Sequence, residues 1–224
     1  MKPYTPPSSL SPARRSLLIG AFAIAGTTLL QGCVPALFAT GVGASALMAA
    51  DRRTTGAYVD DEAIEQKTAG LVRKHFGNIN RVSVTSYNRN VLLTGEVQDE
   101  NVKAEVQRHA STVANVRAVV NELVVAPPSS FSSRTNDTAI TTNVKTRFLA
   151  NSAFSANHVK VVTEAGVVFL LGIVTRAEAD AAAQTASTSK GVKKVVRVFE
   201  YIGEDEAKAL DARNTNESIP PEAP

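Results

Sequence analysis

The 224-residue chain has no tryptophan, only three histidines and a single cysteine. One cysteine excludes an intramolecular disulfide, and His75, His109 and His158 include no pair at the i, i+4 spacing of a helical metal site. No Gly-x-Ser-x-Gly nucleophile motif and no P-loop sequence is present. The sequence therefore indicates no catalytic residues, no metal site and no cofactor, and we expect a protein that is not an enzyme.

The single cysteine, Cys33, follows an uncharged apolar run from Leu17 to Leu30. Three basic residues precede the run, and a glycine stands directly before the cysteine. This order of positive, apolar and small residues is that of a secretory signal peptide, and the run is shorter than the roughly 20 residues of a membrane-spanning helix. We predict that residues 1–32 are removed and that Cys33 is acylated as a lipid anchor.

The residues around the cysteine also bear on export and destination. Arg14 and Arg15 leave the twin-arginine route open beside the general secretory route. Val34 is not the aspartate that retains many Gram-negative lipoproteins in the inner membrane, and in this respect the chain resembles lipoproteins of the outer membrane. We therefore expect a lipid-anchored protein on the periplasmic face of the outer membrane.

Loss of the signal peptide changes the net charge. Residues 1–32 hold three basic and no acidic residues, so the formal charge of +3 for the whole chain becomes zero for the remainder. A basic whole chain is then no argument for a nucleic-acid partner, and we expect none.

The remaining chain contains an internal repeat. The segment 82–97 aligns without a gap with the segment 159–174. The shorter segments 61–64 and 116–120 recur at 137–140 and 192–196, so the order along the chain is the same in both copies. Repetition in this order indicates a tandem duplication of one small domain.

The same order of elements is predicted for both copies. Apolar residues at helical spacing come first, then alternating residues of a β-hairpin, a second helix and a last β-rich segment. Asp61 and Asp137 are placed to cap the first helices, and Asp99 and Thr175 to cap the second. The order αββαβ predicts an α+β fold in which two helices cover one face of a three-stranded sheet.

Two further expectations concern the sheets. Gly95 and Gly172, near the ends of hairpin strands, are expected to make room for a helix against the sheet. Leu92, Phe169 and Leu171 are expected on the opposite, exposed face, where they would dock a protein partner.

The repeat resembles a known family. A strand ending in Gly-x-Val, a helix and then Gly-Val-x-x-Val, as at residues 191–195, are features of BON domains, although Asn115 replaces the glycine in the first copy. Together with Cys33 and the Asp-Arg-Arg-Thr-Thr-Gly segment at 51–56, the two copies resemble the dual-BON outer-membrane lipoproteins. The resemblance implies a non-enzymatic periplasmic protein that binds anionic phospholipid and supports envelope integrity and division-associated envelope maintenance.

These observations predict the organisation of the chain. The tail carries six acidic and two basic residues and is predicted to be disordered. The predicted parts are a signal peptide at 1–32, a lipidated tether at 33–59, a first BON domain at 60–126, a linker at 127–134, a second BON domain at 135–203 and the tail at 204–224.

Charge favours the second domain as the part that meets an anionic membrane. Residues 60–125 have a formal charge of −1 and residues 135–202 one of +3. In the first helix of the second domain, cations stand beside apolar side chains, as at an interfacial phospholipid site. The predicted phospholipid-binding residues are Ile140, Val144, Lys145, Arg147, Phe148 and Leu149.

Two alternatives stay open on the sequence. The apolar members of this set are equally compatible with a domain core, and the cations with a solvated helix face. The second domain could also belong to a protein-interaction module of an envelope assembly complex, with an envelope or division-site protein as partner and no specific lipid binding.

Overall fold

A computed structural model describes residues 51–77 and 81–217, with side chains described as far as residue 213. Cys33 and the predicted signal peptide lie outside these residues. Within the described part of the chain, no helix combines the length and apolarity needed to cross a membrane.

The first copy contains two helices and a sheet. Strand β1 is antiparallel to β2, while β3 and β4 are both parallel to β2 and together form an interrupted third strand. The elements are α1 (Thr55–Phe76), β1 (Arg81–Tyr87), β2 (Asn90–Val97), α2 (Glu100–Ser111), β3 (Ala118–Asn121) and β4 (Val124–Val125).

The second copy repeats this order with an uninterrupted third strand. Strand β5 is antiparallel to β6, and β7 is parallel to β6 over the full length of both. The elements are α3 (Phe131–Leu149), one 3-10 turn (Ala156–His158), β5 (Val159–Glu164), β6 (Val167–Val174), α4 (Arg176–Ser187) and β7 (Lys194–Tyr201). The predicted α+β fold with two αββαβ repeats is confirmed.

In each domain the two helices bury one face of the sheet and form a separate core. The caps of the second helices are confirmed. Asp99 accepts a hydrogen bond from the Val102 amide, and Thr175 forms a reciprocal capping box with Glu178.

The predicted caps of the first helices were wrong. The helices begin earlier, and their caps are Thr54 and Ser130. Asp61 and Asp137 lie inside the helices, 3% and 6% exposed, because their carboxylates turn inward to the hairpin. In the second domain, Asp137 accepts hydrogen bonds from the amides of residues 165 and 166, whose φ angles are positive. Each aspartate therefore fastens a hairpin turn to a helix.

The expectation for the two glycines was wrong as well. A Cβ atom on Gly95 would stand 2.0 Å from the carbonyl oxygen of Arg81, and one on Gly172 would stand 2.3 Å from that of His158. Both glycines therefore make room for the backbone of the neighbouring chain segment within their own domain, and not for one of the two covering helices.

The sheet faces away from the helices are buried, contrary to expectation. Leu92, Phe169 and Leu171 pack with Tyr87 and Ile173 in an apolar layer between the two sheets. The two domains bury these faces against each other because each face carries large apolar side chains. A partner protein therefore has no access to the surface that the sequence proposed for docking.

The predicted disorder of the tail was also wrong where the structure describes it. Residues Glu204–Glu217 form a helix, α5. Ala207 is buried and Leu210 packs against the layer between the sheets. Two apolar residues at helical spacing within an acidic segment are enough to attach this helix to the domains.

Candidate functional site

Helix α3 carries the predicted phospholipid-binding residues, but it does not bring all of them to its surface. Ile140, Val144 and Phe148 are buried in the core of the second domain, where they pack against the sheet and α4. Lipid cannot reach them in this structure. For these three residues the core role is the correct one, because they occupy successive turns of the buried helix face.

Arg147 has a structural task. Its guanidinium donates hydrogen bonds to the carbonyl of Thr185 at 2.9 Å, to Ser189 Oγ at 2.8 Å and to Thr188 Oγ1 at 3.0 Å. It thus caps the carboxyl end of α4, where a cation also complements the helix dipole. This engagement leaves Lys145 and Leu149 as the predicted residues with a free surface.

Two residues that the sequence analysis did not select, Phe131 and Arg134, complete this surface. Phe131 and Leu149 are 77% and 76% exposed, and Arg134 and Lys145 are exposed between them. At 100° per residue, all four lie within an arc of about 60° and extend over about 27 Å of helix. We call these four residues the outer stripe. Phe131 was missed because it fell within the predicted linker, residues 127–134, although its helical spacing to Arg134 was visible in the sequence.

The cations of the outer stripe have no carboxylate partner among the residues that the structure describes. The Arg134 guanidinium stands 5.8 Å from the ring centre of Phe131. Several other arginines pair with acidic side chains, as Arg81 does with Glu96 at 2.8 Å. The stripe therefore presents positive charge that nothing in the described part of the protein compensates.

The segment that leads to the predicted lipid anchor reaches the body of the protein beside this stripe. A cavity of about 330 Å³ is lined by Lys145 and Leu149 together with Asp51, Arg53 and Tyr87. Asp51 is the first described residue, and residues 34–50 separate it from Cys33. The tether thus meets the folded domains at the carboxyl end of α3.

Two arginines hold this segment in place. Arg52 is 3% exposed and donates to Glu178 at 2.7 Å, to the carbonyl of Ile173 at 3.1 Å and to Asp211 of α5 at 2.8 Å. Its neighbour Arg53 donates to Asp61 in the first domain at 2.8 Å. The residues 51–54, which we call the strap, are therefore tied to both domains and to the last helix.

Tyrosines surround the second arginine of the strap. The Arg53 guanidinium lies 4.2 Å from the ring centre of Tyr87 and 4.9 Å from that of Tyr58. Burial raises the pKa of Tyr87 far above its ordinary value, so this ring stays neutral. Cation–π contact and the aspartate bond together fix the orientation of Arg53.

The three histidines are distributed over two places. His158 is buried beside the strap, with Nδ1 3.6 Å from Glu178 and Nε2 3.6 Å from Asp211, and burial lowers its pKa. His75 and His109 stack with ring centres 4.3 Å apart. Within residues 51–77 and 81–217, no three metal-binding side chains converge on one point.

Comparison with known proteins agrees with this architecture. The BON domain family matches residues 60–127 and 136–203. The chain is 43% identical over 197 residues to the outer membrane lipoprotein DolP of Haemophilus influenzae, with 87% of this chain and 99% of that protein covered.

Two more distant relatives have different names. A 21 kDa hemolysin of Actinobacillus pleuropneumoniae is 36% identical over 68% of this chain and 79% of its own. The osmotically-inducible protein Y of Escherichia coli is 34% identical over 62% of this chain and 72% of its own. With two family matches that span more than half of its length, this chain belongs to the BON domain family and carries two such domains in tandem.

Proposed function

We propose that this protein is an outer-membrane lipoprotein on the periplasmic side that binds anionic phospholipid through the outer stripe of its second BON domain and thereby supports envelope integrity. Similarity to DolP, which is named an outer membrane lipoprotein, and the signal-like sequence before Cys33 support the location. The observation that carries the lipid contact is the outer stripe, with its two unpaired cations between two exposed apolar side chains.

The chemistry of the stripe suits the surface of an anionic bilayer. Arg134 and Lys145 attract phosphate groups, and Phe131 and Leu149 at the two ends enter the boundary between headgroups and acyl chains. Near an anionic membrane each basic residue contributes about 1 kcal/mol. Because the chain has no tryptophan, the usual deep interfacial anchor, insertion of the stripe is shallow.

The position of the strap supports the same contact. The strap meets the body beside Lys145 and Leu149, so a lipid at Cys33 and the outer stripe act on one membrane through the spacer formed by residues 34–50. Two attachments to the same membrane hold a protein more firmly than either does alone.

The first domain lacks an equivalent stripe. At the corresponding positions of α1 stand Thr55, Tyr58, Ala69 and Arg73, which offer one cation instead of two. The anionic-lipid contact is therefore assigned to the second domain, and the first domain supports and orients it.

The test uses acyl-free protein, residues 34–224, with phosphatidylglycerol vesicles. Reversal of both stripe cations, Arg134→Glu with Lys145→Glu, should lower the vesicle affinity at least about tenfold, because two attractions become repulsions. Binding to phosphatidylcholine vesicles should not change. Reversal of Lys67 and Arg73 on α1 is the matched control and should have a smaller effect. Equal losses from the two pairs would assign the contact to both domains, and absence of binding by the unmodified protein would refute the proposal.

Arg147 is unsuitable for this test because it caps α4, and its reversal would destabilise the domain. The apolar ends are tested by Phe131→Ser with Leu149→Ser, which leaves the charge intact. We expect this double variant to bind more weakly than the parent, and the difference should remain at high salt, where the electrostatic part of the binding is screened. A double variant that binds as well as the parent at high salt would show that the contact is purely electrostatic.

The anchor is tested separately in cells. Cys33→Ser should prevent acylation and release most of the protein from the membrane fraction, because the stripe alone binds reversibly. A mature amino terminus at a residue other than Cys33, measured by mass spectrometry, would contradict the lipoprotein assignment.

A further inference from the structure

A cleft of about 470 Å³ lies between α3 and the sheet of the first domain. Its walls come from four elements, namely β1 and β2 of the first domain and α3 and β5 of the second. Half of the lining residues carry a hydroxyl group. They are Ser83, Thr94, Thr138, Thr141, Thr142 and Thr163.

The cleft results from a change of polarity within the layer between the sheets. One end of the layer is apolar, at Tyr87 and Leu92. At the other end Ser83 and Thr94 stand directly opposite each other on β1 and β2 and face the same layer. Small hydroxyl side chains leave space where the apolar side chains would fill it.

A bridge between the domains borders this space. Arg81 donates to Glu96 of its own domain at 2.8 Å and also binds Glu164 of the second domain. The bridge shares the single positive charge of Arg81 between two carboxylates, which leaves the group one negative charge, and it connects the two walls of the cleft. Asp137, which also lines the cleft, accepts hydrogen bonds from the amides of Ala165 and Gly166 and is likewise engaged.

Two cations of the cleft, Arg134 and Lys145, have no carboxylate partner among the described residues. They belong both to the cleft lining and to the outer stripe. They lie eleven residues apart on one side of α3, a distance of about 16 Å. The threonines of α3 lie between them in sequence. A ligand in the cleft thus meets a positive charge at either end of this part of α3, and a row of hydroxyl groups between the two ends.

We propose that this cleft binds a phosphate group esterified to a polyol, with the phosphate at a stripe cation and the polyol hydroxyls at the threonines and at Ser83. The inference rests on the proposed function and extends it. The outer stripe responds to charge, whereas the cleft recognises the polyol of a headgroup and makes the first domain part of the binding site. A volume of this size is within the usual range for small-molecule sites.

Two threonines of α3 provide a matched test. Thr142 and Thr146 each donate a hydrogen bond of 2.9 Å to the carbonyl four residues earlier, and both are exposed, but only Thr142 lines the cleft. Thr142→Val and Thr146→Val should therefore lower the stability of α3 by the same amount. With sn-glycerol 3-phosphate as the probe, titrated into acyl-free protein and followed by NMR, Thr142→Val should weaken binding about fivefold and Thr146→Val should leave it unchanged.

The contribution of the first domain is tested by Ser83→Ala, which should weaken glycerol 3-phosphate binding in the same way. Inorganic phosphate and glycerol are the comparison probes, and both should bind more weakly than the ester. If inorganic phosphate binds as well as glycerol 3-phosphate and Thr142→Val has no effect, the cleft does not recognise the polyol and the inference is overturned.

Vesicles distinguish the lipid source from a soluble one. Phosphatidylglycerol and phosphatidylserine have the same charge, and we expect tighter binding to the glycerol headgroup, an advantage that Thr142→Val removes and Thr146→Val retains. Binding of glycerol 3-phosphate without binding to either vesicle would support the cleft and contradict the proposed function. Equal vesicle binding, lost only on reversal of Arg134 and Lys145, would support the proposed function and overturn the cleft.

Discussion

The two domains bury an aspartate at the same place and use it to different extents. Asp137 binds only two hairpin amides of its own domain. Asp61 accepts hydrogen bonds from the hydroxyl of Ser86 and from the amides of Asn88 and Arg89, and it also pairs with Arg53 of the strap.

This difference separates the tasks of the two copies. Both domains kept the aspartate because it fastens a turn with positive φ angles to the helix. In the first domain its remaining capacity receives Arg53 of the strap, while Arg52 ties the strap to the second domain. In the second domain no strap arginine reaches Asp137, and the outer face of α3 stays open. The aspartate of the first copy thus helps to hold the strap, and the second copy presents the proposed binding surface.

The largest expected effect comes from removal of the two aspartates. Asp61→Ala should lower the free energy of unfolding by about 4 kcal/mol, because it leaves the buried donors of Ser86, Asn88 and Arg89 without their acceptor and removes one of the two carboxylates that pair with Arg53. Asp137→Ala should cost about 2 kcal/mol, since only two amides lose a charged partner. Urea denaturation measures both. Equal losses would show that the strap adds nothing to the first domain.

Two neighbouring leucines of β6 test whether the apolar layer between the sheets stabilises both domains. Leu170 faces the core of the second domain and Leu171 faces the first domain, and both are fully buried. Each change to alanine should cost about 3 kcal/mol. Only Leu171→Ala should also increase amide hydrogen exchange on β2 of the first domain. Exchange on β2 that is equally unaffected by both variants would mean that the sheets do not stabilise each other.

The strap gives a smaller effect. Arg52→Met keeps the buried volume and removes the charge, which leaves Glu178 and the carbonyl of Ile173 without their donor. We expect a loss of about 2 kcal/mol in the free energy of unfolding. The loss is limited because Asp211 is half exposed and regains water. Lys67→Met on the open face of α1 is the control and should change stability little. A similar result for both variants would contradict a structural strap.

The smallest effect is a pH dependence at the strap. Burial and the charge of Arg52 lower the pKa of His158 in the folded protein. The unfolded chain therefore binds a proton first as the pH falls through the ordinary histidine value of 6.5, and the free energy of unfolding decreases below that pH. His158→Gln should flatten thermal stability between pH 7 and pH 5.

A second histidine provides the control for that measurement. The pKa of His109 is also lowered, by burial and by His75 and Arg108, but its ring is partly exposed. His109→Gln should therefore remove less of the pH dependence than His158→Gln. The carboxyls beside His158 contribute only in stronger acid. Bonds from Arg52 hold the pKa of Asp211 below its ordinary value. At Glu178 burial acts to raise the pKa, but the hydrogen bonds from Arg52 and from the Thr175 amide outweigh it, so this pKa is lowered as well.

Local patterns were sufficient for most of the fold. The internal repeat, the alternation of the hairpins and the helical spacing predict two αββαβ domains, because secondary structure and repetition depend on neighbours in sequence. The caps at Asp99 and Thr175 followed for the same reason, since a cap bonds to an amide two or three residues away. The residue types at α3 also led to the prediction that this helix carries a lipid-binding surface, which stays a prediction.

Contacts between distant residues required the tertiary structure. The partners of Asp61 are up to 28 positions away, Arg147 caps a helix 38 or more positions later, and Arg52 binds Asp211 across 159 positions. Sequence spacing does not reveal which of several equivalent faces or charges will meet. Only the packing of the two sheets decided that Leu92 and Leu171 are buried, that Lys145 and Arg134 stay unpaired, and that a hydroxyl-lined cleft opens between the domains. The sequence by itself determined the two domains and their elements, because these depend on local patterns, whereas the tertiary structure decided which side chains remained available, because burial and charge pairing depend on the whole chain.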